Sequence, residues 1–189
     1  MKLLDVATGT GQVARAATRI LGQPRGVVGL DPSIGMLREA RKVHAGPLVQ
    51  GRAEEIPLRD GVFDMLSMGF ALRHVTTLER AFAEYRRVLK PGGRLLMLEI
   101  SRPRSAVIRW AIRVYFKQVL PLIIRIGTRS PDARLLMTYY WDTIDECVPP
   151  PMILAALQQA GFVDVEYRLL GACLSEYIAR RPGPSAAVP

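Results

Sequence analysis

Short apolar runs alternate with amphipathic stretches along most of the chain. The run Leu3–Val6 reads as a buried strand, and Gln12–Leu21 carries the helical period. A second strand, Gly26–Leu30, ends at Asp31, and Pro32–Ala45 then places Met36, Leu37 and Ala40 on one helix face. Asp31 or Ser33 is available to cap that helix. Leu48–Gln50 and Phe63–Met68 are strand candidates. Leu78–Leu89 repeats apolar residues at Leu78, Ala81, Phe82, Tyr85, Val88 and Leu89, the spacing of a half-buried helix. Pro91-Gly92-Gly93 ends it, and Arg94–Ile100 follows as a strand. Near the C-terminus Pro149–Gly161 reads as a helix, with Val163–Leu169 and Leu174–Ile178 as closing strands. Strand-then-helix order repeated in this way predicts an α/β fold, a doubly wound sheet with helices on both faces.

The alternation breaks over 102–143, where an insertion is predicted to form a helical lid after the fifth strand. Arg102–Arg129 holds seven basic residues and no acidic one, threaded through aliphatic and aromatic positions. Arg109, Arg113 and Lys117 recur every four residues and so share a helical face. A basic amphipathic helix of this kind suits an anionic membrane surface, and equally a lid whose arginines are solvated. The length of 189 residues predicts one domain, 1–180, followed by a disordered tail over 181–189. The formal net charge of +9 favours acidic partners, but basic residues so interleaved with apolar ones do not form a phosphate-binding stripe. No nucleic-acid partner is therefore expected. Cys147 and Cys173 read as buried thiols, and His44 and His74 are too isolated for a metal site. No apolar run reaches a membrane-spanning length, and a cytoplasmic location is predicted.

The candidate chemistry opens the chain. Asp5-Val6-Ala7-Thr8-Gly9-Thr10-Gly11 is a strand end and tight turn before a helix, and the turn's glycines let backbone amides approach a ligand. Gly9-x-Gly11-x-x-Ala14 with Asp31 downstream also fits a dinucleotide pattern. Asp5 weighs against that reading, because its charge lies where a pyrophosphate would sit and favours a cationic ligand such as the ammonium or sulfonium of S-adenosylmethionine.

The first turn, Asp31, Phe63-Asp64 and Leu89-Lys90-Pro91-Gly92-Gly93 together resemble the class I S-adenosylmethionine-dependent methyltransferases. The resemblance is closest to the C-methyltransferases of ubiquinone and menaquinone biosynthesis, through the first turn, Asp31-x-Ser33-x-x-Met36-Leu37, Ala53-Glu54-x-x-Pro57, Phe70-x-Leu72-Arg73-x-Val75, Arg87–Arg94, Leu98-Glu99-x-Ser101-x-Pro103, Val119-Leu120-Pro121, Tyr139, Thr143-Ile144 and Ala160-Gly161-Phe162. It implies a seven-stranded, mostly parallel Rossmann-like sheet with an antiparallel last strand, and methyl transfer to a prenylated quinol. Asp5 and the turn Ala7, Thr8, Gly9, Thr10, Gly11 would hold the methionine end of the cofactor, and Asp31 the ribose hydroxyls. Met36 would pack on adenine, Ala53 would offer its backbone to the adenine edge, and Gly69 would lie beneath the cofactor. Phe70 and Tyr139 would face the substrate. Arg73 would hold the quinol oxygen, and His74, which titrates near neutrality, is the candidate base. A peripheral site on the inner membrane, with a homodimer or a biosynthetic complex as partner, fits the same resemblance.

The chain also departs from the family's pattern. It begins two residues before the first strand, where the family carries covering helices, so either the start is misplaced or truncated or the site is an open one. Arg52 stands where the family has an acceptor for the adenine amino group; having only donors, it should turn to solvent or stack, weakening cofactor binding. Thr8 and Ala71 stand at glycine positions, and a side chain at Thr8 requires φ below zero. A methyltransferase for another hydrophobic small molecule, or a non-catalytic fold that binds a membrane or partner, is the alternative. A nicotinamide-dependent reductase would bind NADH instead.

Overall fold

The computed structural model describes residues 1–100, 105–120, 148–171 and 174–183. Its elements are β1 (Leu3–Val6), α1 (Gln12–Leu21), β2 (Val27–Asp31), α2 (Ile34–Val43), β3 (Leu48–Gln50), β4 (Phe63–Gly69), α3 (Leu78–Val88), β5 (Leu89–Ile100), α4 (Ala106–Val114), α5 (Pro150–Gln159), β6 (Val163–Leu170) and β7 (Leu174–Arg180). The seven strands lie in the order β3-β2-β1-β4-β5-β7-β6. All neighbouring pairs are parallel except those of β7, which runs antiparallel to both β5 and β6. The predicted doubly wound sheet with an antiparallel last strand is thus observed. Strand order reverses between β1 and β4, and in such sheets the crevice beyond the strand C-termini at that point takes the ligand.

The buried side of the sheet explains the apolar runs. Leu4, Val6, Leu30, Phe63, Leu66, Leu95 and Met97 from the strands meet Phe82 and Tyr85 of α3 and Leu157 of α5 in one core. Fully burying each large side chain contributes about 2 kcal/mol. Leu3, Ala14 and Val27 form a smaller cluster beneath α1.

Three boundaries differ from the sequence reading. α2 starts at Ile34 because the Ser33 hydroxyl accepts the Met36 N–H at 3.3 Å, so Ser33 is the cap and Asp31 is left for other partners. β5 begins at Leu89 instead of Arg94. Pro91-Gly92-Gly93 forms a bulge inside it, with Gly92 at φ 78° and the register shifting between Phe63 and Met65 opposite. The predicted tail gives up its first residue to the fold. Arg181 exchanges backbone hydrogen bonds with Gly92 and Gly93, and its guanidinium donates to the carbonyls of Arg86, Arg87 and Leu89 at the end of α3. Of the predicted insertion, Ala106–Val114 is helical as α4 and continues as a wider turn over Tyr115–Val119. Tyr139, Cys147 and Cys173 lie outside the described residues.

His44 ties α2 to the sheet. Its Nε2 lies 3.1 Å from the Val27 carbonyl oxygen and its Nδ1 3.3 Å from Thr18 Oγ1, so the neutral ring donates to one and accepts from the other. Burial, followed by the Arg41 charge, holds its pKa below the ordinary 6.5, against the Val27 carbonyl bond that acts to raise it. The unfolded chain therefore takes up a proton below about pH 6.5 that the folded chain refuses, and acid costs stability through this group. Compared with a His44→Gln variant, the parent protein should lose melting temperature more steeply between about pH 6.5 and 5. Parallel slopes in thermal unfolding across that range would rule the mechanism out.

Candidate functional site

The crevice at the switch point is a cleft of about 810 Å³. Its walls come from the ends of β1, β2 and β4 and from the segments that follow them. Asp5, Ala7, Thr8, Gly9, Thr10, Asp31, Met36, Arg52, Ala53, Gly69, Phe70 and His74 all line it. Gly11 and Arg73 do not appear among the lining residues, although both were candidates.

Asp5 sits in the middle of the sheet, and parallel pairing puts it beside Ser67 on β4 and Gly29 on β2. Ser67 Oγ donates to Oδ1 at 2.7 Å and Thr8 Oγ1 to Oδ2 at 2.6 Å. Thr8 can fold back in this way because Gly29 has no side chain: a Cβ there would lie 2.9 Å from Thr8 Cγ2. Burial pushes the Asp5 carboxyl up to about 6, against the Thr8 and Ser67 hydroxyls that lower it. Asp31 on the next strand adds to the rise. Near neutral pH the site thus holds a buried, ionised carboxylate under electrostatic load, which a cationic ligand would relieve.

Asp31 accepts the Gly9 N–H and the Ser33 N–H, each at 2.9 Å. These bonds fasten the turn and α2 around the carboxylate, which lines the cleft and whose oxygens can each accept a further hydrogen bond. Of the turn glycines, Gly9 stands at φ 55°, and a Cβ there would meet only the Ala7 carbonyl oxygen, at 4.0 Å. Gly11 has another purpose: a Cβ there would lie 3.0 Å from the Ala40 Cβ of α2, so glycine lets the start of α1 approach that helix. Thr8 lies outside the left-handed region, as a side chain there requires, but Ala7 adopts it at φ 55°. Phe70 does the same at φ 58°, so a strained non-glycine residue follows the end of both β1 and β4 at the cleft.

Arg52 projects into solvent with its side chain 65% exposed, 3.7 Å from Glu54. Glu54 in turn accepts the Thr76 N–H at 2.8 Å and lines the cleft beside Ala53. The segment bearing them is braced from α3, where Arg87 donates to the Ile56 and Leu58 carbonyls and pairs with Glu84. On the far wall His74 faces the cleft. Burial and the neighbouring Arg73 charge hold its pKa below 6.5, against Glu99, which acts to raise it. Arg73 turns away: its guanidinium lies 2.9 Å from the buried Glu99 carboxylate.

A family model described as the ubiE/COQ5 methyltransferase family matches residues 1–178. The chain belongs to the ubiE/COQ5 methyltransferase family. A demethylmenaquinone methyltransferase of Symbiobacterium thermophilum is 38% identical over 179 residues, 89% of this chain and 70% of the relative. A ubiquinone/menaquinone biosynthesis C-methyltransferase of Shewanella pealeana is 34% identical, over 88% of this chain and 68% of its own. Among solved structures, a methyltransferase of Thermotoga maritima superposes with a TM-score of 0.67 at 21% identity, covering 95% of this chain and 82% of that one. A Haemonchus contortus phosphoethanolamine N-methyltransferase, solved with S-adenosylhomocysteine, gives 0.66 at 17% identity, covering 96% of this chain and 50% of that one.

In this family member the donor set fits S-adenosylmethionine. An ionised carboxylate at Asp5 suits a cationic methionine end, and the free lone pairs of Asp31 suit vicinal hydroxyls. Met36, half-exposed at the cleft, offers an apolar surface. Sequence reasoning missed Gly29, Ser67 and Glu54. Gly29 and Ser67 become visible only once strand register puts them beside Asp5.

Removing the Asp5 charge should separate stability from binding. The folded value near 6 exceeds the unfolded value of 3.8, so the ionised group opposes folding above about pH 6 and the penalty fades on acidification. Asp5→Asn should raise the melting temperature of the unliganded protein at pH 7.5 by about 5 °C, corresponding to a penalty of at most about 3 kcal/mol, and abolish S-adenosylmethionine binding. A variant that melts lower at pH 7.5, or that still binds the cofactor, contradicts this account.

Proposed function

We propose that this chain methylates a ring carbon of a prenylated quinol with S-adenosylmethionine as the donor. The observation that carries the reading is that one cleft is lined by two carboxylates suited to the cofactor and by a titratable His74 beside an exposed aromatic Phe70. S-adenosylmethionine would supply an activated methyl group bonded to a positively charged sulfur. Asp5 and the turn after β1 would hold its amino acid end, and Asp31 its ribose. Arg52 has no acceptor to give the adenine amino group, and in the structure it is turned outward. It borders the cleft there together with Ala53 and Glu54.

His74 is kept neutral at physiological pH by its surroundings, so its ring nitrogen can accept the phenolic proton of the quinol. That raises the electron density of the ring carbon, which forms the new carbon–carbon bond as the methyl–sulfur bond breaks. The ring proton at the attacked carbon is then released to water, aromaticity returns, and His74 gives its proton back to the quinol oxygen. Phe70 supplies a flat apolar surface against which a ring can be held in line with the methyl group.

Calorimetric titration with S-adenosylmethionine, with NADH as control, followed by turnover of a demethylmenaquinol or a prenylated benzoquinol lacking the ring methyl, tests this reading. Binding of S-adenosylmethionine alone, its loss in Asp31→Ala, and a fall in kcat of about 100-fold in His74→Ala with cofactor affinity retained are the expected results. In the parent protein kcat/KM should decline as the pH falls through the depressed His74 value, below 6.5. Turnover that is indifferent to His74 would remove it as the base.

A membrane-surface location is part of the proposal. On α4, Val107 and Trp110 are 74% and 66% exposed, one turn apart, and Arg113 is exposed beside them. Apolar side chains next to a cation suit the headgroup boundary of an anionic bilayer. Among the described residues no helix is long and apolar enough to cross a membrane. Trp110→Ala with Arg113→Ala should release the protein from phosphatidylglycerol-containing vesicles in a flotation assay; unchanged flotation would leave α4 as a covering element.

A further inference from the structure

We infer that Glu99 is a positioning residue for the acceptor side of the cleft, acting through Arg73 on the loop Phe70–His74. β5 alternates inward and outward, and Leu95, Met97 and Glu99 all occupy buried positions. Glu99 is therefore a fully buried carboxylate at a place where the strand pattern calls for an apolar residue. A buried ion pair is a poor source of stability compared with apolar packing of the same volume, so its position needs another explanation.

The hydrogen bonds supply one. Glu99 Oε1 accepts from Arg73 Nη1 and from the Ile100 N–H, both at 2.9 Å, and Oε2 accepts the Arg73 N–H at 3.3 Å. The same Arg73 Nη1 donates to the Phe70 carbonyl. Phe70 N–H donates to the Leu98 carbonyl at 2.7 Å, and His74 N–H closes the loop on the Ala71 carbonyl at 2.9 Å. The loop after β4 is thus fastened to the end of β5 at both ends, by a backbone bond at Phe70 and by the Glu99 carboxylate at Arg73. What lies between is the wall of the cleft. Phe70, 42% exposed, and His74 both face the cavity, and Phe70 stands in the left-handed region that a phenylalanine rarely adopts. Arg73 holds the carbonyl of that strained residue, and Glu99 holds Arg73. The guanidinium does not line the cleft, and among the described residues its Nε has no partner. Arg73 consequently sets where Phe70 and His74 stand instead of contacting the acceptor itself. The inference rests on the proposed methyl transfer only for the choice of acceptor.

The test compares the full chain with the paired variant Glu99→Leu/Arg73→Leu, which leaves no unpaired charge in the core, under hydrogen exchange, cofactor titration and turnover. Amides of Phe70, Arg73 and His74 should exchange about tenfold faster or more, while those of Leu95 and Met97 keep their protection. Affinity for S-adenosylmethionine should stay within about threefold of the parent, and kcat/KM for the quinol should fall about 100-fold. Unchanged loop exchange overturns the inference, whether or not the quinol is a substrate. So does loss of cofactor affinity and protection throughout β5 in step with a lowered melting temperature. If the parent protein binds the cofactor but does not turn over the quinol, the proposed acceptor fails, and the exchange measurement still decides the role of Glu99.

Discussion

Two carboxylates on adjacent strands set the terms for the rest of this molecule. Asp5 lies on β1 and Asp31 at the end of β2, and neighbouring strands are separated by only about 4.8 Å. Both are buried, and the charge of Asp31 raises the cost of ionising Asp5. The surroundings compensate with donors: hydroxyls from Thr8 and Ser67 on one, backbone N–H groups from Gly9 and Ser33 on the other. This arrangement shapes the turn after β1, fixes where α2 begins and leaves a polar cleft suited to a cationic, hydroxyl-bearing ligand.

The opposite wall is organised by the same economy of buried charge. Glu99 and Arg73 neutralise each other behind the loop that presents Phe70 and His74. The strained residues Ala7 and Phe70 follow the ends of β1 and β4, where the chain turns sharply off the sheet into the cleft. Strain of this kind persists only when surrounding bonds over-determine the backbone, and here those bonds come from Leu30, Leu98 and Arg73. The two walls of the cleft are therefore built separately, one by carboxylates that need donors and one by an ion pair behind a loop.

Peripheral features serve the same cleft from a distance. Arg87 braces the segment carrying Arg52, Ala53 and Glu54, and Arg181 closes the end of α3 from which that brace projects. α3 thus links the core to the edge of the site. Arg52 borders the cleft with a largely exposed side chain 3.7 Å from Glu54, while Arg87 holds the backbone of its segment.

The sequence by itself determined the element order, the doubly wound class and the carboxylate-bearing turn, because apolar periodicity and glycine chemistry act over a few neighbouring residues. Asp5, Asp31, Gly9 and His74 were legible as candidates for the same reason: each has a side chain, or lacks one, whose chemistry stands out locally. Tertiary structure decided what depends on distant partners. It separated Gly9, which leaves room at the cleft, from Gly11, which lets two helices touch. It brought Ser67 and Gly29 to Asp5 through strand register. It also turned Arg73 from the cleft to Glu99, because a buried carboxylate on β5 demands the nearest cation. Local pattern says which groups exist; only packing says which of them meet.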